Sequence, residues 1–266
     1  MIRRLHVNNY RCLLNFSLDL PDLSSVLLIG DNGVGKSTIV SALELLQKIA
    51  RGTNRVNDLL GPKDLNREHV HSPARIELEV EIRGSEYKYS ISFEFPPEFT
   101  ELRVRDESFS VDGKPIFTRT LSDVSITTNS DVVTFRLDWH LAALPIIQAR
   151  SERDPLFIMT NWLALMVILR PIPTRILGNS DNSGTLLINS ECENFGSWFA
   201  GLLARYPSAY SVIDKYLKDL MPDFKDIKNQ VFGHDFRRLI VQFAANDRSV
   251  SVLFNDLSSG DRKSVV

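Results

Sequence analysis

The spacing of apolar residues changes several times along the 266-residue chain, and each change predicts a different element. Residues 2–7 and 16–20 read as short strands, and the run Val26-Leu27-Leu28-Ile29 that follows has no polar position. Such a run suits a strand buried on both faces. Ile39, Leu43, Leu46 and Ile49, with Ala42 and Ala50, then recur at helical spacing and predict an amphipathic helix over residues 37–50. Residues 54–72 are polar and aperiodic, as a connecting segment would be.

From Arg75 the period drops to two. Ile76, Leu78, Val80 and Ile82 alternate on one strand and Tyr87, Tyr89, Ile91, Phe93 and Phe95 on the next, with Gly84-Ser85 as the turn between them. Asp112-Gly113 marks a second hairpin, and residues 124–128 and 132–137 extend the sheet. Beyond Asp154-Pro155 the spacing is helical again. Residues 157–169 predict a buried helix ending at Pro171, residues 178–184 a loop, and residues 194–205 and 208–220 two helices separated by Pro207. Alternating strands at 238–243 and 249–254 lead into Leu257-Ser258-Ser259-Gly260-Asp261-Arg262.

Composition narrows the class. Two distant cysteines, Cys12 and Cys192, form neither a disulfide framework nor a zinc cluster, and a reducing cytoplasm is the expected compartment. No apolar run reaches the roughly 18 residues of a spanning helix, so no membrane partner is expected. A formal charge of −2 gives no global pull toward nucleic acid. The basic pairs Arg3-Arg4, Arg237-Arg238 and Arg262-Lys263 lack interleaved aromatics and read as solvated surface, as do Asp106-Glu107 and the charged residues 151–154. His6, His69, His71, His140 and His234 are scattered, and His69-Val70-His71 lacks a third metal ligand.

One motif carries chemistry. Gly30-Asp31-Asn32-Gly33-Val34-Gly35-Lys36-Ser37 fits the phosphate-loop pattern G-x-x-x-x-G-K-[ST] at every constrained position, between an apolar run and an amphipathic helix. Gly30, Gly33 and Gly35 allow the backbone to curl so that successive N–H groups face a polyphosphate, and the helix adds its positive end. Lys36 is expected to reach the β- and γ-phosphates, Ser37 to complete a Mg²⁺ shell, and Thr38 to reach the α-phosphate. The expected ligands are ATP and Mg²⁺.

Taken with that loop, Leu257-Ser258-Ser259-Gly260-Asp261-Arg262 resembles the signature of ABC-type ATPases of the RecF, SMC and OLD group, although alone it reads as an ordinary helix cap. Val7-Asn8-Asn9-Tyr10-Arg11 is similar to that group's opening motif, and Gly30-Asp31-Asn32-Gly33 to its loop. Asn161-Trp162-Leu163 and the downstream helices resemble the predicted AAA-type ATPases of bacteria. The resemblance implies an α/β P-loop NTPase core with an antiparallel β lobe and a helical insertion. It divides the chain at 1–74, 75–150, 151–236 and 237–266.

It also implies a head-to-tail homodimer. Ser258, Ser259 and Gly260 of one copy would cap the γ-phosphate held by the other, with Lys36 and Ser259 catalytic and Arg11 near the nucleotide. Gln148 stands where the group has a Mg²⁺-sensing glutamine, although a surface glutamine at a strand end fits equally well. The acidic strand that completes such sites is not found after the signature, so an incomplete sheet and very slow hydrolysis by this chain alone are expected. The implied function is an ATP-driven dimerisation switch in anti-phage defence or DNA maintenance, acting on a nuclease or toxin effector. The rivals are a non-hydrolysing ATP-bound scaffold and a DNA-binding clamp.

Overall fold

Alternation at residues 76–82 and 87–95 builds the hairpin it predicts, and that hairpin lies inside one long sheet. The structure is a computed structural model describing residues 1–20, 23, 25–128, 131–181, 184–232, 236–245 and 248–266. His234 and loop positions 182 and 183 fall outside the described residues. The chain divides into two compact units, residues 1–166 and 167–266. The first therefore contains the segments read as 1–74 and 75–150 and the start of the third.

In the first unit, strands β1 (Ile2–Asn8), β2 (Phe16–Asp19), β3 (Ala74–Ile82), β4 (Ser85–Glu94), β5 (Arg103–Val111), β6 (Lys114–Thr120), β7 (Asp123–Thr127) and β8 (Val132–Arg136) form one antiparallel sheet in the order β2-β1-β3-β4-β5-β6-β7-β8. Its register sets apolar side chains opposite one another: Leu5, Leu78, Tyr89, Phe109, Phe117 and Ile126 form a row across six strands. Each fully withdrawn member contributes about 1.5–3 kcal/mol. They share a core with Leu45, Leu46 and Ile49 of α1 (Lys36–Ala50) and with Met159 and Leu163 of α3 (Pro155–Leu165). Between them, α2 (Val56–Leu59) and a 3-10 turn at Pro62–Asp64 occupy the segment read as aperiodic.

A neighbouring row holds a surprise. Ile91, Glu107, Arg119 and Val124 are successive cross-strand partners, so a carboxylate and a guanidinium face each other inside the apolar face. Both side chains are completely buried, with 3.5 Å between Arg119 Nη1 and Glu107 Oε2. The reading of Asp106-Glu107 as solvated is therefore corrected for Glu107. Its carboxylate accepts from Tyr89 OH at 2.8 Å and from the amides of Ala143 and Leu144 at 2.7 and 2.9 Å. Arg119 donates to the carbonyls of Leu121, Asp138 and Leu141. These bonds offset the desolvation that an isolated buried charge would incur.

Two further expectations are corrected. Val26-Leu27-Leu28-Ile29 is not a strand: Leu27 is 82% and Ile29 86% exposed, because no described strand lies beside it to complete a ladder. The helix read at 157–169 begins at Pro155 and ends at Leu165. Asp154 caps its start by accepting from Leu156 N–H, and at the other end Gln47 and Arg51 of α1 take the carbonyls of Leu163, Ala164 and Met166. Only Leu156, Met159 and Leu163 of this helix are buried.

The second unit packs helices α4 (Phe195–Arg205), α5 (Ala209–Leu220) and α6 (Ser259–Val265) against a small sheet of β10 (Phe224–Phe232), β11 (Phe236–Ala245) and β12 (Arg248–Leu253), with β9 (Asn179–Asp181) beside β11. The sequence reading found neither β9 nor β10. The latter follows α5 directly and mixes charge with Ile227 and Val231, so alternation is weak. No helix among the described residues is long and apolar enough to cross a membrane.

Candidate functional site

Among the described residues two other helices satisfy their first N–H groups with a side chain, Asp154 at α3 and Ser258 at α6. Helix α1 does not. It starts from Gly35 in the left-handed region (φ 101°), with no side-chain cap and no acidic residue in its first turn. The positive end of a 15-residue helix is thus presented at the loop. Gly33 is also left-handed (φ 90°). At Gly35 a Cβ would lie 2.7 Å from Leu13 Cδ2 and 3.1 Å from Cys12 Sγ, so glycine lets the turn at 12–13 press against the helix start.

Within this loop, Lys36 Nζ donates to the carbonyl of Asp31 at 2.6 Å and to that of Gly30, which brings the ammonium into the bend. Asn32 and Ser37 are exposed, while Thr38 is buried with Oγ1 3.4 Å from Cys12 Sγ. The loop's geometry fits a polyphosphate: a cation, a helix end and two left-handed glycines converge at one exposed place. Ser37, exposed at the first turn of α1, is the hydroxyl that would serve Mg²⁺.

Arg11 is held against α1 by a tightly coiled turn in which Asn9, Arg11 and Asn15 all take positive φ. Its Nε donates to Asp64 Oδ1 at 2.9 Å and its Nη1 to Ser41 Oγ at 3.0 Å. Partial burial is the largest single influence and works against its charge, but the Asp64 hydrogen bond and the electrostatic attraction of Tyr10, Asp64 and Glu44 together outweigh it and raise the guanidinium pKa. Asn9, almost fully buried, donates to the carbonyls of His69 and Ser72 and anchors the turn from the other side.

Gln148 is exposed, past the segment that Glu107 fixes at Ala143 and Leu144, and lines a groove with Arg150 and Arg153. In the second unit, Ser258 Oγ accepts from Asp261 N–H at 3.1 Å and caps α6, with Ser259 and Gly260 exposed in its first turn. A Cβ on Gly260 would find only Ser258 Oγ at 3.7 Å, so the fold itself does not demand glycine there. Arg262 donates to the carbonyls of Pro173, Asn255 and Leu257 and fastens the turn that carries Ser258.

Residues 1–135 match the sequence model of the family described as AAA ATPase domain. The chain belongs to this family. Comparison with curated proteins gives no match. The AAA ATPase domain match spans the phosphate loop, Arg11 and the strands through most of β8, and it places the chain among nucleotide-binding ATPases. Gln148 and residues 257–262 lie outside it.

Sequence reasoning missed the residues that support this AAA ATPase site: Ser41, Asp64, Cys12 and Leu13 carry no motif, and only the chain's path brings them to the loop. It also misjudged one basic pair. Arg238 lies over both Phe232 and Phe236, 5.4 and 5.1 Å from the ring centroids, so aromatics do accompany it in space. Among the described residues no cluster of metal-ligating side chains is present, and His69 and His71 are exposed.

Proposed function

We propose that this AAA ATPase domain binds ATP with Mg²⁺ at residues 30–38 and acts as a nucleotide-dependent dimerisation switch. The observation that carries the reading is the uncapped start of α1, with Lys36 Nζ turned into the loop at the same place. Lys36 and the amides of Gly33, Gly35 and Lys36 would hold the β- and γ-phosphates, and Thr38 would approach the α-phosphate. Ser37, with Gln148, would hold Mg²⁺, which when bound neutralises phosphate charge. Arg11 keeps the loop's supporting turn on α1.

In the second part of the proposal, Ser258, Ser259 and Gly260 of one copy approach the γ-phosphate held by another. An exposed helix start with a glycine that its own fold does not require suits close approach to an anion. ATP then links two copies, and hydrolysis releases them. Such a cycle suits control of an effector nuclease or toxin in defence against phage or in DNA maintenance, the setting of the group that the motifs resemble.

The test is calorimetric titration of ATP and Mg²⁺ into the wild-type chain and Lys36→Ala. Affinity is expected to fall by at least about tenfold, some 1.4 kcal/mol. Undiminished binding by the variant would overturn the assignment. Sedimentation velocity with a non-hydrolysable ATP analogue reads the dimer separately. Single-turnover phosphate release distinguishes a switch from a scaffold that merely retains nucleotide.

A further inference from the structure

At its β6–β8 end the inner face of the large sheet borders a groove of about 850 Å³. Ile116, Ile126 and Phe135 of β6, β7 and β8 line it together with Ile146 and Ile147 from the segment before α3. Its rim is basic. Arg150 and Arg153 are exposed, and neither guanidinium has an ion pair among the described residues. The carboxylate lining the groove, Asp154, is already engaged, accepting from the amides of Arg150 and Leu156 at 2.9 Å each. Alongside lies β8, the last strand of the sheet, with no described strand on its outer edge and with Val132 62% and Val133 53% exposed.

Three features must be met by any occupant. A bare strand edge offers backbone donors and acceptors, an aliphatic groove accepts apolar side chains from one face of a strand, and two guanidiniums with no ion pair among the described residues attract anions. We propose that this groove docks an extended acidic peptide segment of a partner protein. The segment adds as one further strand beside β8, with its apolar side chains in the groove and its carboxylates on Arg150 and Arg153. Strand addition of this kind draws affinity from main-chain hydrogen bonds and selectivity from side-chain pockets. A nucleic acid fits less well, because the walls are aliphatic with one aromatic ring and two cations neutralise few phosphates. Lys36 and the phosphate loop do not line the groove; Gln148, assigned above to Mg²⁺, does, and the Lys36→Ala arm of the test separates this proposal from the nucleotide reading.

The probe is a blocked, fluorescently labelled Glu-Val peptide, Val-Ser-Val-Ser-Glu-Ser-Glu, whose valines and glutamates share one face of a strand, titrated into the full chain by anisotropy. Binding is expected to weaken at least about tenfold in Arg150→Glu/Arg153→Glu and in the peptide carrying Lys for Glu, and to persist in Lys36→Ala. A Glu-Val peptide N-methylated at alternate amides is expected to bind at least about tenfold more weakly, because strand pairing is blocked. Equal binding of the Glu and Lys peptides, indifference to the double reversal, or full binding of the N-methylated peptide would each overturn the proposal. So would preference for a labelled single-stranded oligonucleotide.

Discussion

Arg11 and Ser41 are joined across the base of the phosphate loop: Arg11 Nη1 donates to Ser41 Oγ at 3.0 Å, and Ser41 Oγ donates to the carbonyl of Ser37 at 3.1 Å. With Asp64 on Nε, the guanidinium links the coiled turn at 9–15, the 3-10 turn at Pro62–Asp64 and the first turns of α1. Its planar fork serves two acceptors in fixed directions, which a lysine does not reproduce. Arg11→Lys and Arg11→Ala are therefore both expected to lose about 1 kcal/mol of stability, because the group is partly exposed. Urea denaturation checks this. A Lys variant as stable as wild type would mean the fork does not matter.

The two left-handed glycines should respond differently to alanine. At Gly33 a Cβ meets nothing within 4 Å, so only the φ of 90° is penalised, by about 1–3 kcal/mol. At Gly35 the same kind of penalty is joined by a 2.7 Å approach to buried Leu13. Gly35→Ala should be the less stable variant and should bind ATP more weakly than Gly33→Ala, as thermal melts and titrations of the pair would report. The reverse order would show that Leu13 yields freely.

How much of this was legible follows from where the information lies. The loop 30–37 could be read because its chemistry is contiguous, and the hairpin at 76–95 because alternation survives wherever one face is buried. Val26 to Ile29 misled because an apolar run states a need for neighbours without supplying them. Glu107 stands in alternation with Phe109 and Val111, so its period points inward while its charge argues for solvent; Arg119 and Tyr89, which make burial possible, lie on other strands. Asp64 and Ser41 were beyond reach, since nothing local marks a residue whose partner is set by tertiary path.

Two buried glutamates should shape the pH dependence of stability in opposite senses. Burial raises the Glu107 pKa, opposed by the amides of Ala143 and Leu144, so the folded state holds its proton more tightly than the unfolded state. Its contribution therefore falls as pH rises from the ordinary value of 4.5 through the raised one. For Glu77 burial pushes upward, but hydrogen bonds from Lys88 and Arg75 prevail and lower the pKa. Its stabilisation is present above 4.5 and is lost as pH falls through the depressed value. Glu77→Gln should flatten the acid side of a stability–pH curve. Glu107→Gln should remove the opposing slope and, by leaving Arg119 without its counter-charge, cost about 3–5 kcal/mol. Denaturant midpoints across the acid range decide both.

Cys12 offers a chemical readout of the loop. It is exposed, lies 3.4 Å from Thr38 Oγ1, and stands 3.1 Å from where a Cβ on Gly35 would be, whereas Cys192 is buried with its thiol pKa raised by that burial. A maleimide should label Cys12 first. The adduct should crowd the start of α1 and weaken ATP binding, and saturating ATP with Mg²⁺ should slow labelling. Identical labelling rates with and without nucleotide would place Cys12 outside its footprint.

Capping and association can be separated at Ser258. Its hydroxyl accepts from Asp261 N–H and donates to Asp261 Oδ2 at 2.7 Å, so Ser258→Ala should cost about 1 kcal/mol in the second unit by cap loss alone. Aspartate caps helices about as well as serine, but Ser258→Asp sets one carboxylate beside Asp261 and another negative charge where the proposed switch needs to meet phosphate. The Asp variant should therefore be more stable than the Ala variant yet fail to associate with a non-hydrolysable ATP analogue bound. Melting temperature and sedimentation velocity on the same samples give the two readings. Should Ser258→Asp dimerise with nucleotide as the wild type does, residues 258–260 are a helix cap and the copies must meet through another surface.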